Sequence, residues 1–276
     1  MGEVSTVGLD IAKSIFQAHG ADAAGEVVFR KKLGRGRLLS FFADLPPCVV
    51  ALEACAGGHH WGRELARLGH TVRLIPPAYV KPFVKRQKND MADAEAICEA
   101  AQRPTMRFVP VKSEHQQASG VVFRARDLLV GQRTQVINAL RGHMAEYGYV
   151  TAKGVGHVQR LIERIEDPEG DLPPAARASL QVMVQMLRTL AEQIVVLDAE
   201  IARRAKEDPV ARRLLTVPGI GPVTAAAIVA LAPSPETFGC GRDFSAWLGL
   251  TPRQHSSGGK ERLGKITKMG ERTLRR

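Results

Sequence analysis

Four carboxylates stand where carboxylates are costly to keep. Asp10 interrupts the strand-like run of Val7, Leu9 and Ile11, and Glu53 ends the apolar stretch Cys48-Val-Val-Ala-Leu. Acids in such positions persist when they are paired, hydrogen-bonded or bound to metal. Asp90 and Asp93 lie three apart at the amino end of a helical stretch, so they share neighbouring faces, and Asp90 continues the stripe of Ala94, Ile97 and Ala101. Singly, either aspartate also reads as a helix cap or first-turn charge, and Glu53 as the partner of a Lys or Arg. Together the four would repel one another, and Mg²⁺ or Mn²⁺ would neutralise them. Such a site suits phosphodiester chemistry, because a metal clamp can stabilise both the attacking and the leaving oxygen.

A second set of residues lies near the carboxyl end. Phe244-Ser-Ala-Trp-Leu-Gly-Leu-Thr-Pro252 reads as an apolar helix that stops at proline, followed by Arg253-Gln-His-Ser256-Ser257-Gly-Gly-Lys260. A serine in this loop is reachable, two glycines let a DNA backbone approach, and Arg253, Lys260 and Arg262 could stabilise phosphoryl charge. On spacing alone such a Ser-Ser-Gly-Gly loop reads first as a flexible connector. His255 has no visible orienting carboxylate, which argues against a triad. Upstream, Pro218-Gly219-Ile-Gly221-Pro222 feeds a small-residue helix to Ala230 and looks like a helix-hairpin-helix, whose exposed N–H groups bind phosphate without reading bases. A tight turn between packed helices would read the same way.

Charge agrees with a nucleic-acid partner. Lys and Arg number 39 against 28 Asp and Glu, and Arg242 to Arg276 holds nine basic residues against three acidic. Lys265 and Lys268 extend the phosphate-binding surface of this segment. The cysteines Cys48, Cys55, Cys98 and Cys240 have no paired spacing, which excludes a disulfide framework or a zinc site and suits a reducing cytoplasm. No signal-like start and no apolar run of bilayer length is apparent, so a soluble protein with no membrane partner is expected.

The elements that must position these residues read as α/β followed by α. Strands over Ser5–Ile11, Ser14–Gly20 and Gly25–Phe29 form a meander, which passes into βαβα through Arg37–Ala43, Cys48–Ala54, Trp61–Leu68 and Thr71–Ile75. Helices follow over Met91–Ala101 and Glu114–Tyr147. Leu180, Met183, Leu187, Leu190, Ile194, Leu197 and Ile201 then alternate spacings of three and four, a coiled-coil-type face that fits either a second copy or packing within the chain. Asp208-Pro209 ends it. Three domains are expected: a metal-binding domain over 1–150, a helical linker over 151–208, and a small, mainly helical domain over 209–276.

Val-Gly-Leu-Asp10-Ile-Ala-Lys13, Leu-Glu53-Ala-Cys-Ala-Gly and Lys88-Asn-Asp90-Met-Ala-Asp93-Ala resemble the motifs of the DEDD transposases of bacterial insertion sequences. Gly249-Leu-Thr-Pro252 followed five positions later by Ser257-Gly258 resembles their serine-bearing segment, with Ser256 as the competing register. The resemblance implies an RNase H/RuvC-like mixed sheet in the first domain, Asp10, Glu53, Asp90 and Asp93 as metal ligands, and Ser257 as nucleophile. It also implies a composite site between subunits of a dimer or tetramer, DNA as substrate and a guide (bridge) RNA as partner. A hydrolytic junction-resolving nuclease, using the acids alone, is the rival expectation. Gly270 to Arg276 reads as the opening of a helix, and family members continue further, so a truncated or inactive nucleic-acid-binding copy is a third.

Overall fold

The computed structural model describes residues 3–85 and 89–275. It forms two compact units, one ending at Glu114 and the other beginning at His115. Lys88, set beside Asp90 by sequence, lies outside the described residues.

The first unit runs β1 (Thr6–Asp10), β2 (Ile15–Ala21), β3 (Val27–Gly34), α1 (Leu38–Ala43), β4 (Val49–Glu53), α2 (Gly58–Arg67), β5 (Thr71–Ile75), α3 (Pro77–Val80) and α4 (Asp90–Ala101). The strands form one mixed sheet in the order β3-β2-β1-β4-β5, the order expected of an RNase H-like domain. The first three are antiparallel, whereas β1, β4 and β5 run parallel. Alternation fixes the faces. Val7, Leu9, Phe16, Val50 and Leu52 point to one side and pack with Leu38, Phe42, Trp61 and Leu65 of α1 and α2. Ala51 and Ile75 point to the other and pack with Ala96, Ile97, Ala100 and Ala101 of α4.

Strand β3 continues five residues beyond the expected end at Phe29. Arg30-Lys31-Lys32 breaks the apolar alternation, but β3 is an edge strand, where lysines are tolerated and discourage further pairing. Leu33 returns the chain to the core.

The second unit follows Glu114 with α5 (Glu114–Ala145), α6 (Val158–Glu166), α7 (Pro174–Glu207), α8 (Pro209–Leu214), α9 (Pro222–Leu231), α10 (Gly241–Leu248), β6 (Pro252–Gln254), β7 (Leu263–Ile266) and α11 (Arg272–Arg275). The three-four seam of α7 is filled from within the chain. Leu180, Leu187 and Leu190 pack with Val136, Ile137, Leu140 and Met144 of α5 and Leu161 and Ile165 of α6. Farther along, Ile201 joins Phe123, Ala205, Ala211 and Ala225. Helix α6 went unanticipated although Val158, Leu161, Ile162 and Ile165 give it a helical apolar stripe.

By length and composition alone α7 is long and apolar enough to cross a membrane, a test that the core helix of a soluble protein also passes. Its apolar residues are interleaved with polar ones, so no uninterrupted run announces it. Asp208 ends α7 and caps α8, its Oδ1 accepting from the N–H groups of Val210 and Ala211 at 2.8 Å each.

Candidate functional site

Two parallel strands and one helix converge on the acids. Asp10 is the last residue of β1 and Glu53 the last of β4, and the register Leu9↔Leu52 sets them side by side at the strands' carboxyl ends. Adjacent strands lie about 4.8 Å apart. The same alternation that buries Leu9 and Leu52 turns Asp10 and Glu53 to the face covered by α4. Helix α4 reaches this place because Gly8 lets its backbone lie directly on β1: a Cβ there would stand 2.2 Å from the Ala94 carbonyl oxygen.

The start of α4 is capped by Asn89, whose Oδ1 accepts from the Ala92 N–H at 2.9 Å. That cap presents Asp90, exposed, and Asp93, half-buried, in the first turn. Asp10, Asp90 and Asp93 each offer a carboxylate oxygen within 4.8 Å of the others. Three oxygen donors at this separation, on rigid elements, fit a hard divalent cation such as Mg²⁺ or Mn²⁺. Glu53 stands beside Asp10 but outside that trio. Cys55, exposed in the following turn, senses both strand acids: partial burial first, then Glu53 and Asp10, push its thiol above the ordinary value. Its proximity was not legible from sequence, since nothing in its spacing marks it.

The carboxyl-terminal serines sit on a hairpin rather than in an open loop. Strands β6 and β7 pair antiparallel, and His255 N–H donates to the Arg262 carbonyl at 2.8 Å. Ser257 and Lys260 close the tip, with Gly258 and Gly259 both left-handed at φ 57° and 74°. This is the geometry of a two-residue turn with positive φ at both central positions, which glycine adopts without strain. The neighbouring serines differ. Both are exposed, but Ser256 Oγ accepts from the Arg262 N–H at 3.0 Å, whereas Ser257 lies at the mouth of the turn.

Of the expected phosphate-binding residues, Lys260 and Arg262 flank the tip, Lys265 lies on β7, and all three are exposed. Arg253 on β6 donates to the Thr267 carbonyl at 3.3 Å. Lys268 follows β7 with a left-handed φ of 56°, which a non-glycine residue seldom adopts. Gly219 makes the turn after α8 with φ 87°, and Gly221 caps α9 without a side-chain hydrogen bond. The two strands of the hairpin were missed because both are exposed on both faces, so no apolar alternation betrays them.

Comparison with known proteins accounts for both regions. Residues 211–276 match the family described as Transposase IS116/IS110/IS902, and residues 7–149 match the DEDD transposase family of the IS110 type. The first match contains the serine hairpin and the second all four acids. The chain is 48% identical over 274 residues to a Pseudomonas aeruginosa protein described as a family 20 transposase, covering 99% of this chain and 81% of that one. It is 41% identical over 276 residues to the transposase for insertion sequence element IS1328 of Yersinia enterocolitica, covering 100% and 82%. With the transposase for element IS1111A of Coxiella burnetii it shares 38% over 276 residues, covering 100% and 76%.

Proposed function

Because the chain belongs to the IS116/IS110/IS902 family of insertion-sequence transposases, we propose that it cuts and rejoins element DNA with a metal-holding acid site and Ser257 as nucleophile. The observation that carries this reading is the convergence of Asp10, Asp90 and Asp93 within 4.8 Å on a strand end and a helix start. Glu53, beside Asp10, completes the donor set. When bound, the divalent ion supplies charge neutralisation at the scissile phosphate. The chain's own part is to hold the carboxylates in place on β1, β4 and α4 so that the phosphate meets a preorganised field.

Ser257 Oγ attacks phosphorus, a serine–phosphate ester forms as a strand P–O bond breaks, and a second DNA hydroxyl later displaces the serine. The phosphodiester is thereby conserved. Both serines are exposed, but Ser257 lies at the glycine turn while the Ser256 oxygen is engaged by the Arg262 N–H, which supports Ser257. Arg253, Lys260, Arg262, Lys265 and Lys268 bind flanking phosphates, and α8, Gly219, Gly221 and α9 act as a helix-hairpin-helix on the backbone.

The functional division is 1–150 for the acid domain, 151–208 for the helical linker and 209–276 for the serine domain. Family resemblance supports a guide RNA that pairs with donor and target, a composite site assembled between subunits, and action in the bacterial cytoplasm.

A nicked suicide substrate carrying an element end, with Mg²⁺ and cognate RNA, tests the reading. Covalent DNA attachment is expected, abolished by Ser257→Ala and by Asp10→Asn while DNA binding persists. If Ser257→Ala still cuts and Asp10→Asn does not, the protein is a hydrolytic nuclease. Binding with no cutting under any condition would leave a DNA-binding remnant.

A further inference from the structure

We propose that a strip of the first unit's sheet left open among the described residues, carrying Gln17 and Lys32 in line with Asp10, is the track that holds the backbone of the DNA strand being cut. This rests on the acid-site reading above, and it assigns DNA binding to a surface outside the serine hairpin and the α8–α9 turn.

The register sets up the row. Asp10 pairs with Gln17, and Gln17 with Lys32. Paired residues on adjacent strands share a face, so the three side chains stand in line across β1, β2 and β3 on the α4 side. Two interstrand spacings put the Lys32 backbone about 10 Å from that of Asp10.

The next row toward the sheet interior is Gly8, His19 and Arg30, and it is occupied. Backbone atoms of α4 lie on Gly8, His19 is buried, and Arg30 is bound to Glu95. Helix α4 therefore meets the Asp10 row through its first turn, where Asp90 and Asp93 reach Asp10. Beyond it Ile15 is 45% exposed, and its partner Gly34 is exposed with open space above it. The result, among the described residues, is a strip of sheet exposed at Ile15, Lys32 and Gly34 and half-buried at Gln17 that leads from the edge strand to the acids.

Charge selects the occupant. Among the described residues, Arg30 and Lys85, the cations that meet α4, are both paired with Glu95. Lys32 is exposed and makes no ion pair among the described residues. Acids at one end and a free lysine at the other match a polyanion whose one phosphate meets the cation-neutralised acids while a neighbouring phosphate meets Lys32. The Gln17 amide between them can donate to a phosphate or sugar oxygen. Lys31, one residue away, points to the opposite face, where its Nζ lies 4.9 Å from the centre of the Phe41 ring. It provides a control with the same charge and a different face.

The test uses the full chain and a short fluorescein-labelled single-stranded DNA of mixed sequence, with an RNA of the same sequence in parallel, titrated by anisotropy across a salt series. Lys32→Ala should lower the slope of log affinity against log salt for DNA by about 0.7, the value for one phosphate contact to a single strand. Lys32→Glu should weaken binding on the order of tenfold, Lys32→Arg should restore it, and Lys31→Ala should leave the slope unchanged. A photoreactive side chain at position 17 should cross-link to the DNA. Thermal melts equal to wild type are expected, since Lys32 is exposed on an edge strand; Lys32→Gln serves if the charge-reversed chain melts early.

The proposal is overturned if Lys32→Ala matches Lys31→Ala, if position 17 does not cross-link, or if only RNA binding falls. The acid-site reading fails separately. In that case Lys32→Ala shifts the salt slope as expected, yet Asp10→Asn leaves strand cutting intact.

Discussion

The acid cluster and the serine hairpin are built on opposite principles. Asp10, Glu53 and Asp93 are half-buried residues at the ends of elements whose other residues form the core, so packing of Val7, Leu9, Val50, Leu52, Ala94 and Ile97 dictates where they stand. Ser257 stands at the tip between two strands exposed along their whole length, and the backbone pairing there together with two left-handed glycines fixes its position. A site that must hold repelling charges close together gains from a rigid floor. A nucleophile that must reach a substrate strand gains from a protruding tip whose local geometry is set independently of the core. Damage to the first should therefore spread through its domain, and damage to the second should stay local.

The largest effect is expected from Gly8→Ala. The added methyl would meet the Ala94 carbonyl oxygen at 2.2 Å and the Cys98 nitrogen at 2.5 Å, both backbone atoms, so α4 must move off β1. Overpacking of this kind costs about 1–3 kcal/mol. Because Asp90 and Asp93 travel with α4, Mn²⁺ affinity read by electron paramagnetic resonance should fall on the order of tenfold, the lower end of what disturbing ligand support costs. A lowered melting temperature with Mn²⁺ affinity intact would break the link between helix seat and metal site.

That dependence on packing also explains what the sequence disclosed. The acids were legible because a charge in Val7-Gly-Leu-Asp10 or at the end of Cys48-Val-Val-Ala-Leu-Glu53 violates a strong apolar pattern. All five sheet strands were expected for the same reason, with β3 cut short where Arg30, Lys31 and Lys32 mask a solvent-facing edge. The hairpin of β6 and β7 buries nothing, so only the Gly258-Gly259 pair hinted at a turn, and two glycines read equally well as a connector. The seam of α7 was visible, but its partner was not: Leu187 and Leu190 meet α5 and α6 of the same chain, a pairing that periodicity cannot choose.

An intermediate effect is expected at the serine tip. Gly259→Val forces a β-branched side chain into φ 74°, at a local cost of about 1–2 kcal/mol. Gly259→Asn is compatible with that conformation and should be nearly silent. The valine variant should lose covalent DNA attachment while its melting temperature and Mn²⁺ affinity match wild type. A global loss of stability would show that the hairpin is part of the core after all, and the contrast between the two sites would not hold.

The smallest effect is expected from Glu95→Gln, which sharpens the contrast by asking whether surface charges also seat α4. Glu95 binds Lys85 and Arg30, and its carboxyl is held below the ordinary value, chiefly by the hydrogen bond from Lys85 and secondarily by its charge. A depressed carboxylate contributes stability that is present above its unfolded value and is lost as pH falls through its folded value. The wild type should therefore melt slightly above Glu95→Gln at neutral pH, and the two curves should merge as the solution is acidified below the usual glutamate range. Pairs this exposed are screened, so the gap should be within about 2 °C and shrink with salt. A gap several times larger, persisting in high salt, would mean that the ion pairs rather than the seat on Gly8 hold α4 against the sheet.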